Sequence, residues 1–180
     1  KIMKYIKYTF LALLIAVVTF FSYGMLFPSS PGGNVVFNSD NATFEVEYSR
    51  PYKKGRLIFG KESDDALVPY AKYWRTGANA ATTFSTSEDI SFAGELVKAG
   101  KYSLYTIPGK DSWVIALNSV NDTFFAIAEA DQANDVLRVT LSSSEVTDIV
   151  EQFTIDFSND SISSYMNLKW DKTLVSIPLK

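Results

Sequence analysis

Tyr8 to Phe27 is a run of 20 residues without a charge, YTFLALLIAVVTFFSYGMLF, and it constrains the chain more than any other feature. A helix of that length, at about 1.5 Å per residue, spans roughly 30 Å, the thickness of a bilayer's hydrocarbon core. Lys1, Lys4 and Lys7 precede the run and the next basic residue is Arg50. The positive-inside rule then predicts a cytoplasmic N-terminus, with everything after Phe27 outside. Tyr5, Tyr8 and Tyr23 fall near the two ends, where amphipathic rings favour the interface. A cleaved signal peptide is the competing reading. Its apolar core would be about 7–15 residues and would precede a small-x-small site, for which Ser22-Tyr23-Gly24 could serve. The length of the run favours a retained signal anchor. The expected division is a cytoplasmic tip and transmembrane anchor over 1–27, a linker over 28–34 and a periplasmic β domain over 35–180. Pro28-Ser29-Ser30-Pro31-Gly32-Gly33 supplies the linker composition.

Charge and composition narrow what the outer part can do. The chain has 17 Lys and Arg against 20 Asp and Glu, with no His and no Cys. Three of those lysines lie in residues 1–27, which hold no acid, so 14 basic and 20 acidic residues remain, a net −6. Such a domain should be soluble and should not lie flat on anionic lipid. The acidic balance also argues against nucleic acid as a partner. Without His or Cys the commonest general base, the thiol nucleophile, disulfides, a lipidated cysteine and the usual zinc ligand sets are all missing.

From Val35 onward no amphipathic helix is evident, and short alternating segments recur between turn signals. Thr43–Tyr48 and Thr82–Ser85 alternate apolar and polar residues, and Trp113–Leu117 is an apolar run that ends at Asn118. Val136–Leu141 puts Leu137, Val139 and Leu141 on one face, and Phe153, Ile155 and Phe157 repeat the pattern. Ile90–Phe92 and Lys101–Ile107 flank Gly94 and Gly100, which suggests a hairpin. Phe124–Ile127 reads as a further strand. Met166, Leu168 and Trp170 lead through Asp171-Lys172, read as a tight turn, into Val175, Ile177 and Leu179. About nine strands at this spacing predict an all-β fold, an antiparallel sandwich or barrel-like domain preceded by one transmembrane helix. A domain of about 145 residues buries close to 70% of its unfolded surface and needs no disulfide or metal staple.

Several motifs resemble those of an uncharacterised bacterial group, the domain-of-unknown-function family 2911. They are Tyr48-Ser49-Arg50-Pro51, Lys54-Gly55-Arg56 with Ile58-Phe59-Gly60, and Leu67-Val68-Pro69-Tyr70. Trp74-Arg75-Thr76-Gly77-Ala78-Asn79 with Ala81-Thr82 is the longest. Ala99–Leu104, Ile107-Pro108-Gly109, Trp113, Asp135–Arg138 and the closing Trp170-Asp171-Lys172-Thr173 also fit. The resemblance covers nearly the whole outer part and implies an exported, β-rich protein with no reaction to carry over. Ala71 stands where the family often has Gly, and the retained anchor replaces an expected cleaved signal. Asp160-Ser161-Ile162 resembles an O-glycosylation acceptor used by exported proteins of the same phylum.

Arg50, Arg56, Tyr70, Trp74, Arg75, Thr76 and Asn79 form the candidate ligand site. Arg offers a planar fork to a carboxylate or phosphate, and Trp and Tyr supply a stacking wall for an anion or a sugar. The structural alternative has Arg and Asn bonding the backbone carbonyls of a long loop, with Gly60 and Gly77 relieving strain. Glu62, Asp64 and Asp65 could only serve a carboxylate-dependent hydrolase, and they sit in a solvated loop. Asn38-Ser39-Asp40-Asn41 offers hard oxygens but lacks the length of a calcium loop. No catalytic residue, cofactor or metal is expected. In the anchor, Ala12, Ala16, Thr19 and Tyr23 make a stripe of smaller side chains along which another helix could pack. The leading expectation is a non-catalytic, single-pass accessory subunit of a larger inner-membrane complex, its partners the bilayer and membrane-embedded protein. A membrane-tethered binding module for a glycan or small anion is the alternative.

Overall fold

The computed structural model describes residues 2–26, 29–121, 128–160 and 163–180. One helix, α1 (Ile2–Leu26), precedes a body made almost entirely of antiparallel strands. Every described side chain of α1, from Tyr5 to Phe20 and at Ser22 and Tyr23, is exposed. That includes residues on all sides of the helix, with Tyr5 and Phe10 each 70% accessible and Phe20 76%. Among the described residues no helix is long and apolar enough to cross a membrane, so the expected transmembrane span is not supported at this level. The uninterrupted stretch whose side chains are described, Tyr5 to Phe20, covers only part of the charge-free run.

The first strands are β1 (Gly32–Asn38), β2 (Thr43–Ser49), β3 (Phe59–Gly60), β4 (Val68–Pro69), β5 (Thr82–Thr86) and β6 (Ile90–Phe92). They are followed by β7 (Glu95–Val97), β8 (Gly100–Pro108), β9 (Ser112–Asn118), β10 (Asp135–Ser142), β11 (Ser144–Asn159) and β12 (Ser164–Leu179). Six of them form one sheet in the order β1-β2-β5-β8-β9-β10, and four form a second in the order β11-β12-β6-β7. Both sheets have free edges, so the barrel alternative falls and a sandwich-like arrangement remains. Alternation explains the packing. In β2, Phe44, Val46 and Tyr48 are buried while Thr43 and Glu47 face outward. Phe153, Ile155, Met166, Leu168 and Trp170 answer from the second sheet, and Phe37 and Phe157 stack across the gap at 5.2 Å.

Three local expectations are corrected. Strand β1 begins at Gly32, inside the stretch read as linker, and pairs with β2 from Gly32↔Ser49 to Asn38↔Thr43. The hairpin next to Ile90–Phe92 is tighter than expected. Phe92 pairs with Glu95 across Ala93 and Gly94, both at positive φ (51° and 95°), while Lys101–Ile107 joins the other sheet in β8. Asp171-Lys172 is not a turn. The chain continues through β12 and the pairing with β11 shifts register around Val150↔Asp171, with Asp171 at φ 55°. Buried residues run even before this point (Met166, Leu168, Trp170) and odd after it (Val175, Ile177, Leu179), and the ladder is irregular here because β11 runs from Glu145 to Thr154 while β12 covers only Lys169 to Thr173. Phe124–Ile127 lies outside the described residues.

Candidate functional site

The long connection between β2 and β5 carries all seven residues of the expected site, and its interior is aromatic. Phe59 and Trp74 enter the core between the two sheets. The Phe59 ring lies 4.8 Å from Trp113 of β9 and 6.0 Å from Trp170 of β12, and Trp74 lies 5.0 Å from Phe153 of β11. The Trp74 backbone pairs with Thr106 in both directions, at 2.8 and 2.9 Å. Its indole N–H donates to the Gly77 carbonyl at 3.0 Å. Thr76, fully buried at φ 55°, bonds the Thr106 hydroxyl at 3.2 Å, and its carbonyl accepts from the Thr82 hydroxyl at 2.7 Å. Gly77 is required by close approach, since a Cβ there would stand 2.9 Å from the Ser49 carbonyl oxygen.

The arginines bond mainly to the protein itself. Arg50 donates to the Phe153 carbonyl at 3.3 Å and to the Thr154 hydroxyl at 3.2 Å, joining the end of β2 to β11. Arg56 donates through Nε to the Lys53 carbonyl at 3.0 Å and through Nη2 to the Tyr52 carbonyl. Arg75 donates to the Asn79 carbonyl at 2.7 Å. Asn79 is exposed and reaches the Ser30 carbonyl at 3.4 Å, while Tyr70 is half-buried with its backbone N–H on the Gly60 carbonyl. This is the pattern of loop-locking side chains, and the seven residues do not converge on one point.

Two of the seven, Arg56 and Trp74, do meet in a cleft of about 340 Å³. Lys54 joins Arg56 as the second cation, Leu67, Val68 and Trp170 join Trp74 as apolar wall, and Ser29 and Ser30 stand at its border. Among the described residues no carboxylate lines it. The indole N–H of Trp170 is buried without a hydrogen-bond partner, alone among the described buried side-chain polar atoms. Lys54, Leu67 and Trp170 were not foreseen as site residues, although each lies in a motif stretch quoted above; the fold brings those separated stretches together.

A second polar cluster escaped sequence reasoning because its members are far apart in the chain. The Tyr105 hydroxyl donates to Asp135 at 2.5 Å, Arg138 donates to both at 3.0 Å, and Asn118 donates to the other Asp135 oxygen at 2.8 Å. Burial and the neighbouring carboxylate push the Tyr105 hydroxyl far above its usual range, so it stays protonated as a donor. Tyr73, whose ring lies 4.9 Å from that of Tyr105, is also raised, chiefly by burial. The network is satisfied and reads as a structural tie.

The remaining candidates are ordinary. Ser39 closes a turn onto Ala42 at 2.9 Å, and Glu62 on a single helical turn pairs with exposed Lys72 at 3.3 Å. Among the described residues no cluster of His, Cys, Asp or Glu could hold a metal. Asp160 accepts from the Ser163 N–H at 2.8 Å, while Ser161 and Ile162 lie outside the described residues. Ala12, Ala16, Thr19 and Tyr23 are all exposed on α1, with the Thr19 hydroxyl on the Ile15 carbonyl at 2.8 Å. Ala71 sits at φ 60°, a conformation that glycine adopts without strain. No curated protein and no solved structure matches the chain. Residues 30–179 match the family model described as protein of unknown function (DUF2911), and the chain belongs to that family.

Proposed function

We propose that the protein is a single-pass, membrane-anchored accessory subunit whose β domain stands on the periplasmic side of the inner membrane and performs no catalysis. The exposure of α1 carries this reading. An apolar helix whose described side chains are exposed on every face has no core of its own to enter, and such a helix is stable in lipid or against apolar partners. The charge-free run from Tyr8 to Phe27, longer than the stretch whose side chains are described, supplies the length for a span, and Lys1, Lys4 and Lys7 supply the orientation. The self-directed bonds of Arg50, Arg56 and Arg75 support a brace rather than an open catalytic cleft.

Extraction of the full chain from its native membrane in mild detergent tests the subunit reading. A constant set of membrane proteins should co-purify, and replacing Ala12 and Ala16 with Leu should leave membrane insertion intact while displacing them. Co-purification unchanged in that variant would remove the stripe from the account. Recovery of the chain alone would remove the subunit reading.

A further inference from the structure

We propose that the cleft beside Trp170 binds a phosphate group carried on an apolar body. Its volume, about 340 Å³, lies within the range of small-ligand sites. Both charged side chains that line it are cations, in a chain whose net charge is −3. Among the described residues the Lys54 ammonium has no hydrogen-bond or ion-pair partner, and Arg56 Nη1 has none either, Nε and Nη2 being spent on carbonyls. Trp170, a residue of the cleft wall only 1% exposed, carries an N–H without a partner among the described residues, and we take this N–H as the third donor.

An indole N–H can only donate, and burying it unbonded is costly, so an acceptor oxygen is what the position lacks. Trp74, packed 5.8 Å from Trp170 in the same wall, shows the satisfied state, with its own N–H on the Gly77 carbonyl. A phosphate is rich in acceptors and can carry two negative charges, matching two cations and one N–H. Leu67, Val68 and the two indoles then give an attached hydrocarbon portion a surface to cover.

Two sources share this chemistry, a soluble phosphate ester and a lipid headgroup. The lipid source rests on the anchor reading, whereas the cleft does not. Ser29 borders the cleft three residues beyond the end of α1 at Leu26, so the helix end lies within about 10 Å along the chain.

The test follows the indole ¹⁵N–¹H resonances of the full chain in a non-ionic detergent, with hexyl phosphate as probe. The Trp170 resonance should move downfield on titration while that of Trp113, outside the cleft, stays in place. Trp170→Phe keeps an aromatic ring, smaller than the indole, and removes the donor, and it should weaken binding by about tenfold. Lys54→Gln, at a side chain with no partner to lose, should weaken it by a similar factor without changing the spectrum of the fold. Inorganic phosphate, lacking the apolar portion, should bind more weakly than hexyl phosphate. In nanodiscs without added probe, a Trp170 shift in phosphatidylglycerol but not in phosphatidylcholine would assign the lipid source. Identical spectra in the two, with hexyl phosphate still binding, would assign the soluble source and leave the anchor untouched. A Trp170 resonance unmoved by millimolar hexyl phosphate, or equal binding by wild type and both variants, would overturn the proposal.

Discussion

Thr82→Val is the sharpest test of how the Trp74–Asn79 loop is held. Thr82 is fully buried in β5, and its hydroxyl donates to the Thr76 carbonyl at 2.7 Å. Thr76 is itself fully buried with a left-handed backbone, so its carbonyl cannot turn to water without moving the loop. Valine matches threonine in shape and suits a strand, so the substitution removes the donor and little else. A buried carbonyl deprived of its partner costs about 1–3 kcal/mol. For a domain of this size that lowers the melting temperature by roughly 3–10 °C. Urea unfolding of the full chain in detergent, followed by tryptophan fluorescence, provides the assay, with Thr82→Ser as control. Serine keeps the hydroxyl and loses one methyl, costing about 0.5–1.5 kcal/mol by analogy with Ile→Val. Valine should therefore destabilise at least as much as serine, despite filling the volume. Wild-type stability in Thr82→Val with a loss in Thr82→Ser would refute the clamp and leave packing as the cause.

Strand β2 was legible because one of its faces is wet. Phe44, Val46 and Tyr48 alternate with Thr43, Glu45 and Glu47, and burial follows that alternation. The register shift opposite Asp171 was hidden because a parity change between Trp170 and Val175 suits a tight turn as well as an irregular continuous strand, and the surplus residues that cause the shift lie in β11. Strand β7 was hidden by its own residues, since Glu95 and Leu96 are both exposed and break the pattern. Arginine chemistry was legible only as to type. Whether a guanidinium meets a ligand or a carbonyl depends on contacts about 100 residues away, as with Arg50 and Phe153. The cleft was out of reach for the same reason, because Lys54, Leu67 and Trp170 share it only after the sandwich closes.

Two further outcomes are expected. Ala71→Gly, at an exposed position with φ 60°, should stabilise the fold by about 0.5–1 kcal/mol, readable as a higher urea midpoint, and a lower midpoint would mean that the left-handed backbone carries no strain there. Hydrogen bonding and charge from Lys101 hold the Glu47 carboxyl below its ordinary value of 4.5. The unfolded state therefore binds the proton first, and the pair's contribution, small at this half-exposed site, is complete above about pH 4.5 and lost as the pH falls through the lower folded value. A carboxylate NMR titration should give Glu47 a low midpoint that rises in Lys101→Met, and an unchanged midpoint in that variant would refute the attribution.

The anchored topology can be tested most directly through a residue type the chain lacks. With no native cysteine, Ser29→Cys places a single thiol just beyond the end of α1. Spheroplasts with intact inner membranes are treated with a membrane-impermeant maleimide, and the membrane fraction is then washed with alkaline carbonate. The account predicts labelling from outside without lysis and retention of the labelled chain in the washed membranes. Labelling only after the cytoplasm is opened, or release of the chain into the carbonate wash, would contradict it.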